Sequence, residues 1–126
     1  ARAQVSSGAV DPERLDRSRR HLGPDAVLEQ IERLAPLVAA RRAVPPAVVH
    51  GACRLDTVWL HGDQPVGFLD VAALAVGDPY RDLASTARSL AARFGPEGLP
   101  RFLTAYGLAE PDPIRLEFHA LLDELL

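Results

Sequence analysis

The sequence predicts an α+β domain, mainly α, with one central antiparallel β-hairpin. Three observations lead there. Asp-Pro and Pro-Asp pairs open runs whose apolar residues recur at helical spacing. A single region, beginning at Val48-Val49, is rich in β-formers. Inside it, His61-Gly62-Asp63-Gln64 separates two short apolar runs, Thr57–Leu60 and Pro65–Leu69.

Asp11-Pro12 reads as an N-cap with Pro at the first helical position, opening a short helix to about Arg20. Pro24-Asp25 opens a second, whose Val27, Leu28, Ile31 and Leu34 share one face. Pro36 ends or kinks it, with an apolar turn through Leu37 and Val38 continuing toward Arg41. Pro45-Pro46 is a stop. Gly-Asp between the two β-rich runs is a hairpin signal, so the chain is expected to turn at residues 61–64. Asp78-Pro79 caps a third helix, with Tyr80, Leu83, Ala84, Ala87, Leu90, Ala91 and Phe94 along one side. Gly95-Pro96 stops it, and a short helix over Leu99–Tyr106 follows. Asp112-Pro113 caps the last helix, lined by Ile114, Leu116, Phe118, Leu121, Leu122 and Leu125.

With 126 residues, one domain is the default. Almost half the residues are apolar, enough for a core. No apolar run reaches membrane-spanning length, and a signal-peptide pattern is lacking, so a cytoplasmic protein without a membrane partner is expected. A single Cys excludes an internal disulfide framework and a Cys-based zinc site. A net charge of −3 does not suggest a nucleic-acid surface. The chain contains no Lys, no Asn and no Met, and all fourteen basic residues are Arg.

His-Gly occurs twice, at His50-Gly51 and His61-Gly62, and only the second copy is followed by Asp. Phosphoryl transfer from ATP needs an Asp beside the acceptor hydroxyl, and an Asn and a second Asp on Mg²⁺. In kinase-like proteins these fall in a loop H-x-D-x-x-x-x-N followed by a hairpin that ends in the metal Asp. Asp63 lies only seven residues before Asp70, too few for a catalytic loop plus a hairpin. His61-Gly62-Asp63 is therefore the hairpin turn, and His50-Gly51 falls at the loop.

The stretch VVHGACRLDTVWLHGDQPVGFLDVAALAVGDPYRDLA resembles the core of the aminoglycoside phosphotransferases, specifically the kanamycin/neomycin 3′-kinase branch. That pattern is H-G-D-x-x-x-x-N, a hairpin ending G-F-I-D, then G-x-x-D-x-x-x-D-[IL]-A. His50-Gly51, Gly67-Phe68-Leu69-Asp70 and Asp78, Asp82, Leu83, Ala84 match at the same separations, with Ala75 replacing one Gly. The closing RFLTAYGLAEPDPIRLEFHALLDELL and the upstream SGAVDPERLD are also similar to that family. The resemblance implies the C-terminal lobe of a protein-kinase-like fold over residues 1–126, without the N-terminal ATP-binding lobe. That lobe carries a strand Lys, and this chain has none.

The same resemblance implies ATP-dependent phosphoryl transfer to an aminoglycoside hydroxyl, with Mg²⁺ and ATP as cofactors, as in antibiotic resistance. Its residues are thinned here. Ala52 stands where the base Asp is called for, and Thr57 where the metal Asn is. Asp70 is kept as a metal ligand, with Thr57 a hydroxyl in place of the amide. Asp56 is the one nearby carboxylate that could stand in for the base. His50 reads as structural, and Asp78 and Asp82 as braces of the loop. For the polycationic sugar, Asp16, Arg88, Asp123, Glu124 and the Leu126 carboxylate match. Arg14 and Arg17 fall where acids are expected, Ser89 and Ala92 replace acids, and Ala73 replaces an Arg. Read without the resemblance, Asp123 and Glu124 are a solvated helix face. The expected protein is a degenerate C-lobe, inactive as this chain, that does not hold MgATP tightly alone. The alternative is a non-catalytic module binding an aminoglycoside-like small molecule, the separate N-terminal lobe or a second copy of itself.

Overall fold

The computed structural model describes all residues, 1–126. Five α-helices and four short strands follow one another: α1 (Arg2–Ser6), α2 (Gly23–Ala39), β1 (Ala47–Val49), β2 (Val58–His61), β3 (Gln64–Phe68), β4 (Ala75–Gly77), α3 (Tyr80–Phe94), α4 (Gly98–Tyr106) and α5 (Pro113–Leu125). The chain is thus mainly helical, with small antiparallel β-pairs in the middle.

The long helices form where the caps and the apolar spacing agree. Asp112 accepts from the amides of Ile114 and Arg115, and Pro113 needs no such partner. Asp78 accepts from the Tyr80 amide at 2.9 Å, and α3 begins there. Val27 and Ile31, one turn apart on α2, meet Leu121 and Leu125 of α5, with Leu15 closing this core from the loop before α2. A second core joins Tyr80 and Leu83 of α3 to Leu103 of α4. The helix α3 therefore lies between α4 and α5, and α5 also backs onto α2.

Three expectations are corrected. No helix runs from Asp11 to Arg20: only Pro12–Arg14 and Arg20–Leu22 make single 3-10 turns. Side chains claim that backbone instead. The Asp16 carboxylate takes both the amide and the hydroxyl of Ser18, and the Arg20 guanidinium donates to the carbonyls of Leu15 and Glu13. Pro36 does not end α2: the apolar turn expected through Leu37 and Val38 does continue the helix, but only to Ala39, short of Arg41. Pro36 sits in the last turn on the solvent side, where the carbonyl it leaves unpaired meets water. Finally, the chain contains a second strand pair beside the expected hairpin: β1 and β4 pair antiparallel, Val48 opposite Val76. Each of these strands is three residues long, too short for a periodicity to show.

The hairpin itself, β2–β3, turns through Gly62 and Asp63 between paired His61 and Gln64. Gly62 has φ +61°, which a Gly in the first turn position supplies without strain. A bulge follows Trp59, where Leu60 faces Pro65 and Val66 is passed over. Pro65 has no amide to donate, and a bulge is where a strand accommodates that.

Candidate functional site

The loop after β1 is held from three sides. Both carboxylate oxygens of Asp82, in the first turn of α3, accept backbone amides of this loop: His50 at 2.6 Å and Gly51 at 2.8 Å. The His50 ring is buried, and its Nε2 lies 2.7 Å from the carbonyl oxygen of Leu69. A carbonyl only accepts, so Nε2 carries the proton. The Nδ1 lone pair then faces the Ala52 amide at 3.4 Å. His50 thus ties the loop to the residue just before Asp70. Gly51 has φ +89°, and a Cβ there would lie 2.6 Å from the Ala73 oxygen. Only Gly allows the loop to rest on the turn that follows Asp70.

Asp70 is the one non-glycine residue with positive φ, at φ 57° and ψ 41°. An acid held in the left-handed region, which Asp tolerates better than most residues, fixes the direction in which the chain leaves the hairpin. Its exposed carboxylate makes no hydrogen bond within the chain. Thr57 is turned the other way. It is 1% exposed, and its hydroxyl both accepts from the Arg54 amide at 3.0 Å and donates to the Arg54 carbonyl at 2.9 Å. That places Thr57 as a clasp of the loop instead of a metal ligand. No three His, Cys, Asp or Glu side chains converge on one point. A lone carboxylate does not by itself fit Mg²⁺, which takes six oxygens.

Ala52 lines a cleft of about 360 Å³ together with Gly51, Ala73, Arg81, Asp123 and Leu126. Asp56 is not brought to this cleft. It lines a neighbouring one of about 460 Å³ and pairs there with Arg54 at 3.1 Å. Asp63 stays at the exposed hairpin tip.

The substrate-side residues separate into two groups. Arg88, Asp123 and Arg14 interlock: Arg88 donates to the Asp123 carboxylate and to the Arg14 carbonyl at 3.0 Å each, and Arg14 donates to the Asp123 carbonyl at 3.3 Å. Asp123 and the exposed Leu126 border the cleft beside Ala52. Glu124 does not. It is 0% exposed, bonded through Oε1 and Oε2 to the Arg19 guanidinium, and it accepts the Asp16 amide at 3.2 Å. Glu124 is therefore neither a ligand contact nor part of a solvated face; it anchors the loop before α2 onto α5. The Asp16 carboxylate is exposed and held below the usual carboxylate range by its bonds to Ser18. It organises its own turn.

Asp78 also has a different job from bracing the loop. Its Oδ2 receives Arg115 Nη1 at 2.6 Å and lies 3.5 Å from His119 Nε2, both on α5. Burial pushes this carboxyl up, but the Tyr80 amide and the Arg115 guanidinium outweigh it and hold it low. Burial likewise depresses His119, against the pull of Asp78. Arg115, Arg19 and His119 carry no signal in the sequence. Their partners lie far along the chain, at Asp78 and Glu124, where no local spacing can reveal them.

The fold and this loop define the class: the C-terminal lobe of a kinase-like fold, with its catalytic-loop position, hairpin and trailing Asp in order. The sequence model of the phosphotransferase enzyme family (APH) matches residues 3–119, and the chain belongs to that family. It is 36% identical, over 98% of its length, to an aminoglycoside 3′-phosphotransferase of Escherichia coli. It is 33% identical to another from Streptomyces fradiae, again over 98% of its length. Among solved structures, aminoglycoside-3′-phosphotransferase of type VIII superposes with a TM-score of 0.80 at 33% identity, over 98% of this chain and 47% of that one. An aminoglycoside phosphotransferase of Streptomyces rimosus, in complex with ADP and streptomycin, superposes with a TM-score of 0.82 at 32% identity, over 98% and 49%. The chain spans 44% and 47% of the length of those two curated relatives.

Proposed function

We propose that this chain is the C-terminal lobe of an aminoglycoside-phosphotransferase-like protein whose catalytic loop has lost its chemistry. Ala52 carries the reading. A methyl group in place of the base neither orients an acceptor hydroxyl nor takes its proton, a loss of about two to four powers of ten in rate. Thr57 supports it, because its hydroxyl is already spent on Arg54. Asp70 is the only carboxylate left to meet a metal, so MgATP is held weakly, and chiefly by whatever supplies the other half of the fold. A cytoplasmic location, where ATP is available, is part of the same proposal.

The remaining role is binding, and a specific surface favours a macromolecular partner. Val48 and Val76, paired across β1 and β4, are each 73% exposed, and Trp59, Val66 and Phe68 stand out from the hairpin. So many uncovered apolar side chains on the two β-pairs call for a partner, either the N-terminal lobe or a second copy.

The test compares the longest natural polypeptide containing these residues with its Ala52→Asp/Thr57→Asn double variant, using ATP and kanamycin. No phosphorylation by the former and measurable phosphorylation by the latter is the expected result. Ordinary activity in the unaltered protein overturns the reading and points to Asp56 or Asp63 as the working carboxylate.

A further inference from the structure

His119 stands on α5 and lines the cleft of about 360 Å³ beside Ala52. Its Nε2 lies 3.5 Å from the Asp78 carboxylate, which only accepts, so the proton of the neutral ring sits on that nitrogen. Nδ1 keeps a lone pair, and no group of the chain donates to it. Gln4 Oε1 and Ser85 Oγ are the only sealed side-chain atoms without a partner, so Nδ1 is open. The side chain is 13% exposed, and the space beside it is this cleft. Asp123, one turn further along α5, lines the same cleft. Its Oδ2 takes Arg88 at 3.0 Å, which leaves Oδ1 without a donor. Two acceptors on one helix face thus border one space.

We infer that His119 is a ligand contact in this cleft, its Nδ1 accepting from an N–H or O–H donor of an aminoglycoside-like molecule. A lone pair takes only a donor, and amino sugars carry donors at nearly every ring position. This rests on reading the chain as a lobe of an aminoglycoside-phosphotransferase-like protein, and it adds a residue for which neither the spacing nor the resemblance gave a role. The contact depends on charge. The groups facing His119 are Asp78 and Arg81 at the start of α3 and Arg115 on α5. Arg14, from the loop before α2, and Asp123 share its cleft. The helix α2 packs on α5 as well but brings no charge to the ring. Burial holds His119 below the usual 6.5 against the pull of Asp78, so the ring is neutral near pH 7. Once protonated, Nδ1 becomes a donor, and the cleft holds a third cation beside Arg14 and Arg81. A polycationic sugar then loses one acceptor and meets a new like charge.

The test measures kanamycin binding by calorimetry to the longest natural polypeptide containing this chain, without ATP and at fixed salt. Circular dichroism confirms that the protein is folded at each pH. Between about pH 8 and about pH 5.5 the affinity of the unaltered protein is expected to fall about tenfold more than that of His119→Gln. Gln does not titrate but still offers an oxygen, so at the upper pH His119→Gln binds within about threefold of the unaltered protein. His119→Leu offers no acceptor and binds about fivefold more weakly there. Equal pH dependence in the unaltered protein and His119→Gln, or undiminished binding by folded His119→Leu, overturns the inference and leaves the reading of the lobe in place. No kanamycin binding by the unaltered protein at any pH fails that reading, and the inference with it.

Discussion

Arg19 grips the buried carboxylate of Glu124 across more than a hundred residues of sequence, and this pair joins the loop before α2 to the end of α5. The Glu124 side chain has no exposure, and that of Arg19 is only 21% exposed. Removing one partner strands a buried charge, which costs about 3–5 kcal/mol. Arg19→Ala is expected to lower the melting temperature by roughly 10 °C or more. Replacing both residues together, as Arg19→Met/Glu124→Leu, costs much less, because no charge is left unpaired. A calorimetric scan of the two variants decides this; equal losses count against the pair.

The bond from Asp82 to two consecutive amides predicts a local opening. Asp82→Ala leaves the amides of His50 and Gly51 without partners, at about 1–3 kcal/mol each. Hydrogen exchange at these two amides is expected to accelerate at least tenfold, with α2 and α5 amides changing less. Uniform acceleration through the chain contradicts a role confined to the loop.

The contact between α3 and α5 is acid-sensitive. Burial depresses His119 in the fold below the usual 6.5, so the unfolded chain binds its proton first as pH falls. Its contribution is complete above 6.5 and is lost as pH drops below it toward the depressed folded value. Asp78 is also held below its usual 3.8, so it contributes above that value and its contribution disappears on further acidification. Stability against urea is expected to fall in two stages, and His119→Gln removes the first. An unchanged profile in that variant refutes the assignment.

The exposed apolar pairs predict self-association whenever no partner covers them. Sedimentation of the 126-residue chain is expected to show dimers or larger species at high concentration. Val48→Glu/Val76→Glu places two like charges opposite each other on β1 and β4 and is expected to return the monomer. A monomer before the substitution removes the basis for this surface as an interface.

Much of the architecture was legible because local chemistry acts over a few residues. Asp112 before Pro113 caps α5 with its own side chain. Gly62-Asp63 between two apolar runs makes the hairpin. The separations from His50 to Asp70 to Asp82 carried the likeness to a phosphotransferase, since they depend on chain length alone. The same local reading failed over residues 11–20, where the signals of a helix start were present but side chains took the backbone bonds. What tertiary structure alone decided are the directions and long-range partners of side chains. Glu124 and Asp123 are neighbours in sequence, yet a helix turns them about 100° apart, so one meets Arg19 in the interior and the other borders a cleft. Thr57 faces inward because Arg54 offers both a donor and an acceptor. Charge and burial of this kind arise from contacts between segments far apart in the chain, which no spacing within one segment encodes.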